Sequence, residues 1–272
     1  MIISSKNKLF LIITLVIVKI NFFSQATFTS TKNGDWNNNT ITTPWSISGT
    51  DIDGIPDSDD DVIISHEINQ QSANLQFGSM QINVGGELIL SDGYILYSYG
   101  DIINNGQISS DGKLISVLNT KISGSGTFSD NIEYAVSGNL TFDGVSLAIA
   151  RIVTLVGGGD LYIQNGANVN FQGEVKSVSA ASFLVNNSTV EISSSNFMIN
   201  GQPSSAVFQT NNSSSTVIYS TSGNLPLPSL SQFNNLIISV ASTASCSDDF
   251  SISGDWTNNG SFTSSNTGNT VT

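Results

Sequence analysis

The sequence predicts an all-β protein, folded as a right-handed parallel β-helix-like solenoid with an N-terminal cap segment. Three observations predict this fold class: apolar and polar residues alternate in short runs, Gly, Asn, Asp or Ser closes each run, and a glycine-containing cassette recurs. Alternation with a period of two between turn residues is typical of β-strands. From residue 77 onward, the sequence contains no convincing amphipathic helix.

The first 26 of the 272 residues have the pattern of a secretory signal peptide. Lys6 and Lys8 give a positive n-region, residues 9–18 are apolar, and Ser24 to Ala26 fit a small-residue cleavage site. The apolar run is too short to span a bilayer core of about 30 Å. We therefore expect cleavage near Ala26, no transmembrane anchor in the mature chain, and a secreted or outer cell-surface location.

Charge and composition exclude several classes of protein. Only 11% of the residues are charged, and loss of the three signal-peptide lysines leaves 5 basic against 21 acidic residues, a net charge of −16. Because an average domain carries about 25% charged residues, Ser, Thr and Asn must cover this surface. Phosphate binding needs clustered cations, so a nucleic-acid partner is excluded. One Cys and one His exclude a disulfide framework and a Cys-rich zinc module.

A repeated cassette indicates the solenoid. It consists of Gly, a polar residue, a large apolar residue and, shortly after, Asn or Asp before a second Gly. It occurs at residues 86–93, 100–106, 138–144, 159–166 and 254–260. Gly86, Gly112 and Gly138 are equally spaced, which predicts that the interval between them is the length of one coil and that the coils share one core. A β-sandwich is the alternative, because Asn-Gly and Asp-Gly also close hairpins.

The same patterns divide the chain into five segments. They are a signal peptide (1–26), an N-terminal cap segment (27–76), β-solenoid repeats (77–202), a Ser/Asn/Pro-rich linker or irregular coils (203–232) and the start of a further β-repeat module (233–272). The alternation breaks in the fourth segment and resumes near Phe233. Because the last three residues have a strand pattern, we expect the last module to be truncated and the chain to be the front part of a longer protein.

An acidic run in the cap segment predicts a calcium site. Alternate Asp residues around a Gly bend supply oxygens, of which Ca²⁺ takes six to eight. The candidate ligands are Asp51, Asp53, Asp57, Asp59 and Asp61. The run resembles the Asp-x-Asp-Gly-x-Pro-Asp pieces of thrombospondin type 3 calcium repeats, although it occurs as a single copy. The alternative is a solvated, proline-containing turn that leads into a strand at residues 62–64.

No motif indicates a catalytic residue. His66 is the sole imidazole and has no nucleophile or metal set beside it, so we expect a structural role. Four aspartates at cassette turns cannot be paired across a cleft from the sequence; they are Asp92, Asp111, Asp143 and Asp160. The tryptophans are expected to be buried cap or core residues rather than platforms for sugar rings; they are Trp36, Trp45 and Trp256.

Two stretches resemble secreted surface proteins that are common in Bacteroidetes. The first includes Trp36 and residues 43–46, 54–57 and 59–64, and it resembles an opening segment that leads into right-handed β-helix repeats, similar to G8-type domains. The second, residues 233–262, is similar to repeats of large adhesin-like members. Such proteins often end in a β-sandwich sorting signal for type IX secretion, a feature not seen in this sequence.

These features favour a non-enzymatic role. We expect an exported surface or extracellular protein that serves as an adhesin-like binding scaffold or stalk, with glycans or cell-surface proteins as partners. The alternative is a β-helix enzyme that degrades polysaccharides as a lyase or glycosidase. A calcium-stabilised spacer without its own ligand is a third interpretation, and calcium is the only cofactor that the sequence indicates.

Overall fold

The fold is a β-solenoid whose successive coils pair their strands in parallel. The computed structural model describes residues 25–51, 53–71, 73–156, 158–178, 181–194, 197–198, 208–210, 214–222, 224–227, 231–246, 249–264 and 271. Over these ranges the chain forms strands and turns without a helix, and so without any helix able to cross a membrane. The predicted all-β parallel solenoid is confirmed, whereas the antiparallel sandwich is wrong. The predicted signal peptide lies outside the described residues except for its last two positions.

The strands are short and are separated by tight turns. The first fifteen are β1 (Ala26–Ser30), β2 (Gly34–Asp35), β3 (Trp45–Gly49), β4 (Asp61–Ile64), β5 (Glu67–Asn69), β6 (Leu75–Phe77), β7 (Ser79–Ile82), β8 (Glu87–Leu90), β9 (Ile95–Ser98), β10 (Ile102–Asn104), β11 (Gln107–Ser110), β12 (Lys113–Ser116), β13 (Thr120–Ser123), β14 (Thr127–Phe128) and β15 (Glu133–Val136). The others are β16 (Leu140–Asp143), β17 (Ser146–Ile149), β18 (Val153–Leu155), β19 (Leu161–Gln164), β20 (Asn168–Phe171), β21 (Val175–Ser177), β22 (Phe183–Asn186), β23 (Thr189–Ile192), β24 (Phe197–Met198), β25 (Phe208–Thr210), β26 (Thr216–Tyr219), β27 (Asn224–Pro226), β28 (Gln232–Phe233), β29 (Asn235–Ile238), β30 (Thr243–Cys246), β31 (Ser251–Ile252), β32 (Trp256–Asn258) and β33 (Ser261–Ser264).

Successive strands lie on three faces of the solenoid in turn. The first face is a 12-stranded sheet in the order β3-β1-β4-β7-β10-β13-β16-β19-β22-β25-β28-β31, in which only β3 and β1 are antiparallel. The second face consists of a 5-stranded sheet, β14-β11-β8-β5-β2, and a 6-stranded sheet, β17-β20-β23-β26-β29-β32. The third face consists of a 7-stranded sheet, β24-β21-β18-β15-β12-β9-β6, and a 3-stranded sheet, β27-β30-β33. The segments predicted as cap, linker and further module all contribute strands to these sheets.

The register of the first face gives a coil length shorter than predicted. Ile102 pairs with Met80 of the coil before it and with Ile122 of the coil after it. Both intervals are shorter than the one between Gly86 and Gly112, so the predicted coil length is wrong. The equally spaced glycines precede strands on different faces, since Gly86 precedes β8 on the second face and Gly112 precedes β12 on the third.

The core consists of apolar columns, because the same inward position recurs in each coil. One column on the third face is Leu75, Leu96, Leu114, Tyr134, Val153 and Val175. One on the first face is Val62, Met80, Ile102, Ile122, Phe142 and Ile163. All of these side chains are buried, and burial of apolar surface contributes about 25 cal/mol per Å².

In three successive coils, the turn into the second face requires glycine because the coils approach each other closely there. A Cβ atom at Gly106 would collide with the carbonyl oxygen of Gly86 and would lie 2.5 Å from that of Asn83. A Cβ atom at Gly126 would lie 2.5 Å from the carbonyl oxygen of Gly106. Asn104 supports this turn, because its Oδ1 accepts the N–H of Gly106 at 3.1 Å.

The N-terminal end of the solenoid is covered by β3 and by two tryptophans. Trp36 is 1% exposed and Trp45 is 5% exposed, and their rings meet edge to face at 5.6 Å. Trp45 Nε1 donates to the carbonyl oxygen of Trp36 at 2.9 Å. The expectation of buried cap aromatics is confirmed for these two residues.

Replacing Gly106 by Ala tests the close approach of the coils. The new methyl group would meet backbone oxygens that cannot rotate away, so we expect the free energy of unfolding to fall by about 3 kcal/mol. Gly85→Ala, in a neighbouring turn, is the matched control. Gly85 has a φ of +84° and no atom within 4 Å of an added Cβ, so only backbone strain of about 1 kcal/mol applies. Equal losses in urea unfolding would contradict the stacking account.

Candidate functional site

The five aspartates predicted to bind calcium are held in different ways. Asp51 and Asp53 accept backbone N–H groups three and two residues later, which stabilises the turn itself. Asp61 belongs to β4, where it accepts hydrogen bonds from the side chains of Gln25 and Ser79. Asp51 and Asp53 therefore stabilise the turn, and Asp61 links β4 to distant parts of the chain.

Three carboxylates of the acidic run lie close together, and one of them, Asp60, was not among the predicted ligands. Asp57, Asp59 and Asp60 each place a carboxylate oxygen within 4.8 Å of the others. Asp60 is 2% exposed; its Oδ1 accepts the N–H of Ala26 at 2.9 Å and its Oδ2 accepts the N–H of Asp57 at 3.0 Å. Asp60 thus attaches β1 to the turn before β4.

The convergence raises two pKa values in this cluster. The pKa of Asp57 is raised mainly by a hydrogen bond with the Asp59 side chain and next by burial. The pKa of Asp60 is raised mainly by burial, and the two backbone N–H donors oppose that effect. In the folded protein, ionisation of both carboxyl groups is therefore less favourable than in the unfolded chain.

The cluster fits calcium only in part. Three carboxylates supply fewer than the six to eight oxygens that Ca²⁺ takes, and both Asp57 and Asp60 already accept backbone N–H groups. Asp57 and Asp59 are the side chains that would hold an ion, with water completing its shell. The calcium site stays a prediction, as does the alternative of a solvated turn.

His66 attaches one coil to the next. Its Nδ1 lies 3.0 Å from the carbonyl oxygen of Ser30 and 3.1 Å from the Oγ of the same residue. Because a carbonyl oxygen can only accept a hydrogen bond, this contact places the ring proton on Nδ1. A protonated Nδ1 cannot accept the proton of the Ser30 hydroxyl and therefore cannot act as a base toward it. Ser30 is 3% exposed, and its Oγ accepts the N–H of Ser65 at 2.7 Å. The geometry fits the expected structural role.

The second face contains a groove that sequence reasoning missed. We call it the step groove, and it has a volume of about 520 Å³. It lies on β8, β11 and β14, where the 5-stranded sheet of the second face ends. The residues that line it include Ile89, Gln107, Ser109, Thr127, Phe128 and Ser129.

The step groove exists because the second face is discontinuous. Among the described strands, β14 pairs only with β11, and β17 of the next coil pairs only with β20. Phe128 occupies the same inward position as Leu88 and Ile108 in the two earlier coils. Because no described strand pairs with the other edge of β14, Phe128 is only partly buried. Its ring forms part of the groove wall.

A smaller pocket adjoins the step groove at the corner to the third face. We call it the corner pocket; it has a volume of about 260 Å³, and Asp111 lines both cavities. Its charged residues are Asp92, Asp111, Lys113, Glu133 and Arg151.

The charges in the corner pocket are largely paired. Lys113 Nζ lies 2.5 Å from Glu133 Oε1, and Arg151 Nη1 lies 3.5 Å from Asp92 Oδ1. Arg151 also donates to the carbonyl oxygen of Asp111 at 2.6 Å. Within the described part of the chain, the exposed Asp111 carboxylate has no hydrogen bond or ion pair, so it remains available to a ligand.

The structure separates the four cassette-turn aspartates into two groups. Asp92 and Asp111 both line the corner pocket. The sequence did not predict that these two residues lie near each other. Asp143 accepts a hydrogen bond from the side chain of Asn165 at 2.8 Å, and Asp160 accepts the N–H of Ser182 at 2.8 Å. This second pair holds corners between coils, in agreement with the turn positions of these residues in the cassettes.

The third tryptophan differs from the expectation. Trp256 is 40% exposed on β32, with its ring edge to face against Phe250 at 6.3 Å and Phe262 at 5.3 Å. It is exposed because β32 pairs only with β29 in the described chain. Cys246, in contrast, is buried.

No family model matches the chain, and no similar curated protein or solved structure was found. The resemblance to secreted Bacteroidetes surface proteins stays a prediction. The solenoid, the step groove and the corner pocket are therefore the grounds for a functional proposal.

Replacing Asp57 by Asn tests the electrostatics of the acidic cluster. Because the folded-state pKa lies above the unfolded value of 3.8, ionisation disfavours the folded state, and stability falls as the pH rises through the folded pKa. We expect Asp57→Asn to stabilise the protein at pH 7 by about 0.3 kcal/mol, a small value because solvent screens the group. We also expect it to flatten the stability profile from about pH 4 upward.

Asp130→Asn is the matched control, since it removes the same charge at an exposed turn. Thermal unfolding from pH 4 to pH 7 is the measurement. Identical profiles for the two variants would contradict the account of the cluster. In a parallel series, a melting temperature that calcium or a chelator leaves unchanged would count against the predicted ion.

Proposed function

We propose that this protein is an exported, non-enzymatic binding scaffold or stalk, located at the outer cell surface or in the medium. The main support is the exterior of the second face, where hydroxyl and amide side chains form a column across five coils. The column is Ser146, Asn168, Thr189, Thr216 and Asn235. It offers uncharged hydrogen-bonding groups to a glycan or a protein surface.

Charge narrows the choice of partners. The net charge of −16 without the signal peptide disfavours nucleic acids and anionic membranes. Four of the five remaining basic side chains lie within 4.0 Å of a carboxylate oxygen, so the described surface offers little free positive charge. Glycans and cell-surface proteins are the partners that this surface suits.

Export is proposed from the N-terminal sequence. Residues 1–26 have the signal-peptide pattern, and the resemblance to Bacteroidetes surface proteins points to the same compartment. Calcium binding by the acidic cluster would be an additional, stabilising feature of such a protein and forms part of this proposal.

The corner pocket favours a second candidate function, polysaccharide degradation. A glycosidase needs two carboxyl groups that flank the bond it cleaves, and the corner pocket contains Asp92, Asp111 and Glu133. A lyase needs a base and a cation that neutralises a uronate, and Lys113 and Arg151 are the cations present. Their existing ion pairs argue for a structural role, which is why binding without turnover is the preferred function.

A polysaccharide panel separates the two functions. We expect the purified protein to be retained by at least one insoluble glycan and to release no reducing sugar or unsaturated product over many hours. Release of either product would contradict the scaffold proposal.

Asp111→Asn and Glu133→Gln identify the origin of any turnover. If the corner pocket were catalytic, each variant would lower product release by at least about 100-fold, as expected for loss of a general acid or base. Asp101→Asn, an exposed aspartate on the turn before β10, is the control. Turnover that persists in both corner variants would place the chemistry elsewhere in the chain.

A further inference from the structure

We infer that the step groove is a binding site for a neutral glycan chain, with the Phe128 ring as its apolar contact. The inference rests on the proposed binding function and assigns a location and a ligand class to it. Three independent features carry it: the shape of the groove, the side chains that line it, and the charge around it.

The shape comes from the interruption of the second face at β14. The end of the 5-stranded sheet forms an open, shallow groove with a volume of about 520 Å³. Ligand sites in proteins are usually concave, with apolar walls and a few convergent polar groups. The volume of the groove is within the usual range of about 300–1,000 Å³ for small-ligand pockets.

The apolar wall is Phe128. Its inward position would be covered if β17 paired with β14 as β11 does, but that pairing is absent in the described chain. Phe128 is consequently only partly buried: it packs against the core and also lines the groove. A sugar ring has an apolar C–H face that packs against an aromatic ring, so the exposed side of Phe128 suits a pyranose.

Hydrogen bonds between side chains hold the polar groups of the groove in fixed orientations. Gln107 Nε2 donates to Ser109 Oγ at 2.5 Å, and Ser109 Oγ in turn donates to the Glu87 carboxylate. Gln107 is exposed, and among the described residues its amide oxygen has no hydrogen-bond partner. An amide that both donates and accepts matches a sugar hydroxyl, which also does both.

The charged residues around the groove favour the binding of neutral glycans over anionic ones. The residues that line the groove include Gln, Ser and Thr but no Lys or Arg, and one of them is the exposed Asp111. The nearby Arg151 is already held by Asp92 and by the Asp111 carbonyl oxygen. A carboxylate accepts hydrogen bonds from sugar hydroxyls but repels uronate and sulfate groups. The net charge of the chain adds to this repulsion at low ionic strength.

Affinity electrophoresis and calorimetry with defined polysaccharides test the inference. The neutral probes are mixed-linkage β-glucan, xyloglucan and galactomannan, and the anionic probes are alginate and polygalacturonate. We expect wild-type binding to at least one neutral probe, about tenfold weaker binding for Phe128→Ala and about fivefold weaker binding for Gln107→Ala.

Gln76→Ala is the matched control, because Gln76 is also an exposed glutamine on a strand but lies on the third face. Gln107→Ala keeps the test decisive if Phe128→Ala unfolds, since Gln107 is exposed and its loss leaves the core intact.

Neutral-glycan binding that is equal in the wild type and both groove variants would overturn the groove assignment while leaving the scaffold function standing. Binding of only the anionic probes would overturn the ligand class. Binding of none of the probes would overturn this inference, and failure to bind any glycan or cell-surface protein would overturn the proposed function.

Discussion

The structure depends on the hydrogen bonding of each coil to the coil before it. Parallel strands lie about 4.8 Å apart, so each paired strand residue has its counterpart from the neighbouring coil directly above or below it. The spacing explains the glycines at Gly86, Gly106 and Gly126, where a carbonyl oxygen of the previous coil occupies the place of a Cβ.

The same constraint gives the candidate site its location. Where a face is continuous, each inward side chain is covered by the coils on both sides. In this protein the second face changes sheets between β14 and β17. The discontinuity leaves Phe128 partly uncovered and creates the step groove, while the adjacent corner collects Asp92, Asp111 and Arg151 in one pocket. The candidate site is thus a local departure from the repeat.

The sequence predicts the coils well because alternation and turn residues are local signals. It misjudges the coil length because the cassette marks more than one corner: Gly86 and Gly112 precede strands on different faces, so the interval between them spans more than one coil. The step groove cannot be predicted from the sequence, since Phe128 occupies the same position in the apolar–polar alternation as the buried Ile108. The burial of Asp60 is equally hidden, because its partner Ala26 is 34 residues away.

The central claim is that this solenoid acts outside the cell as a binding surface. The most direct test is to fractionate the native cells and determine the location and the mature N-terminus of the protein by immunoblot and mass spectrometry. The account predicts a product cleaved near Ala26 that is protease-accessible at the cell surface or free in the medium. An uncleaved N-terminus on a protein retained in the cytoplasm would contradict it.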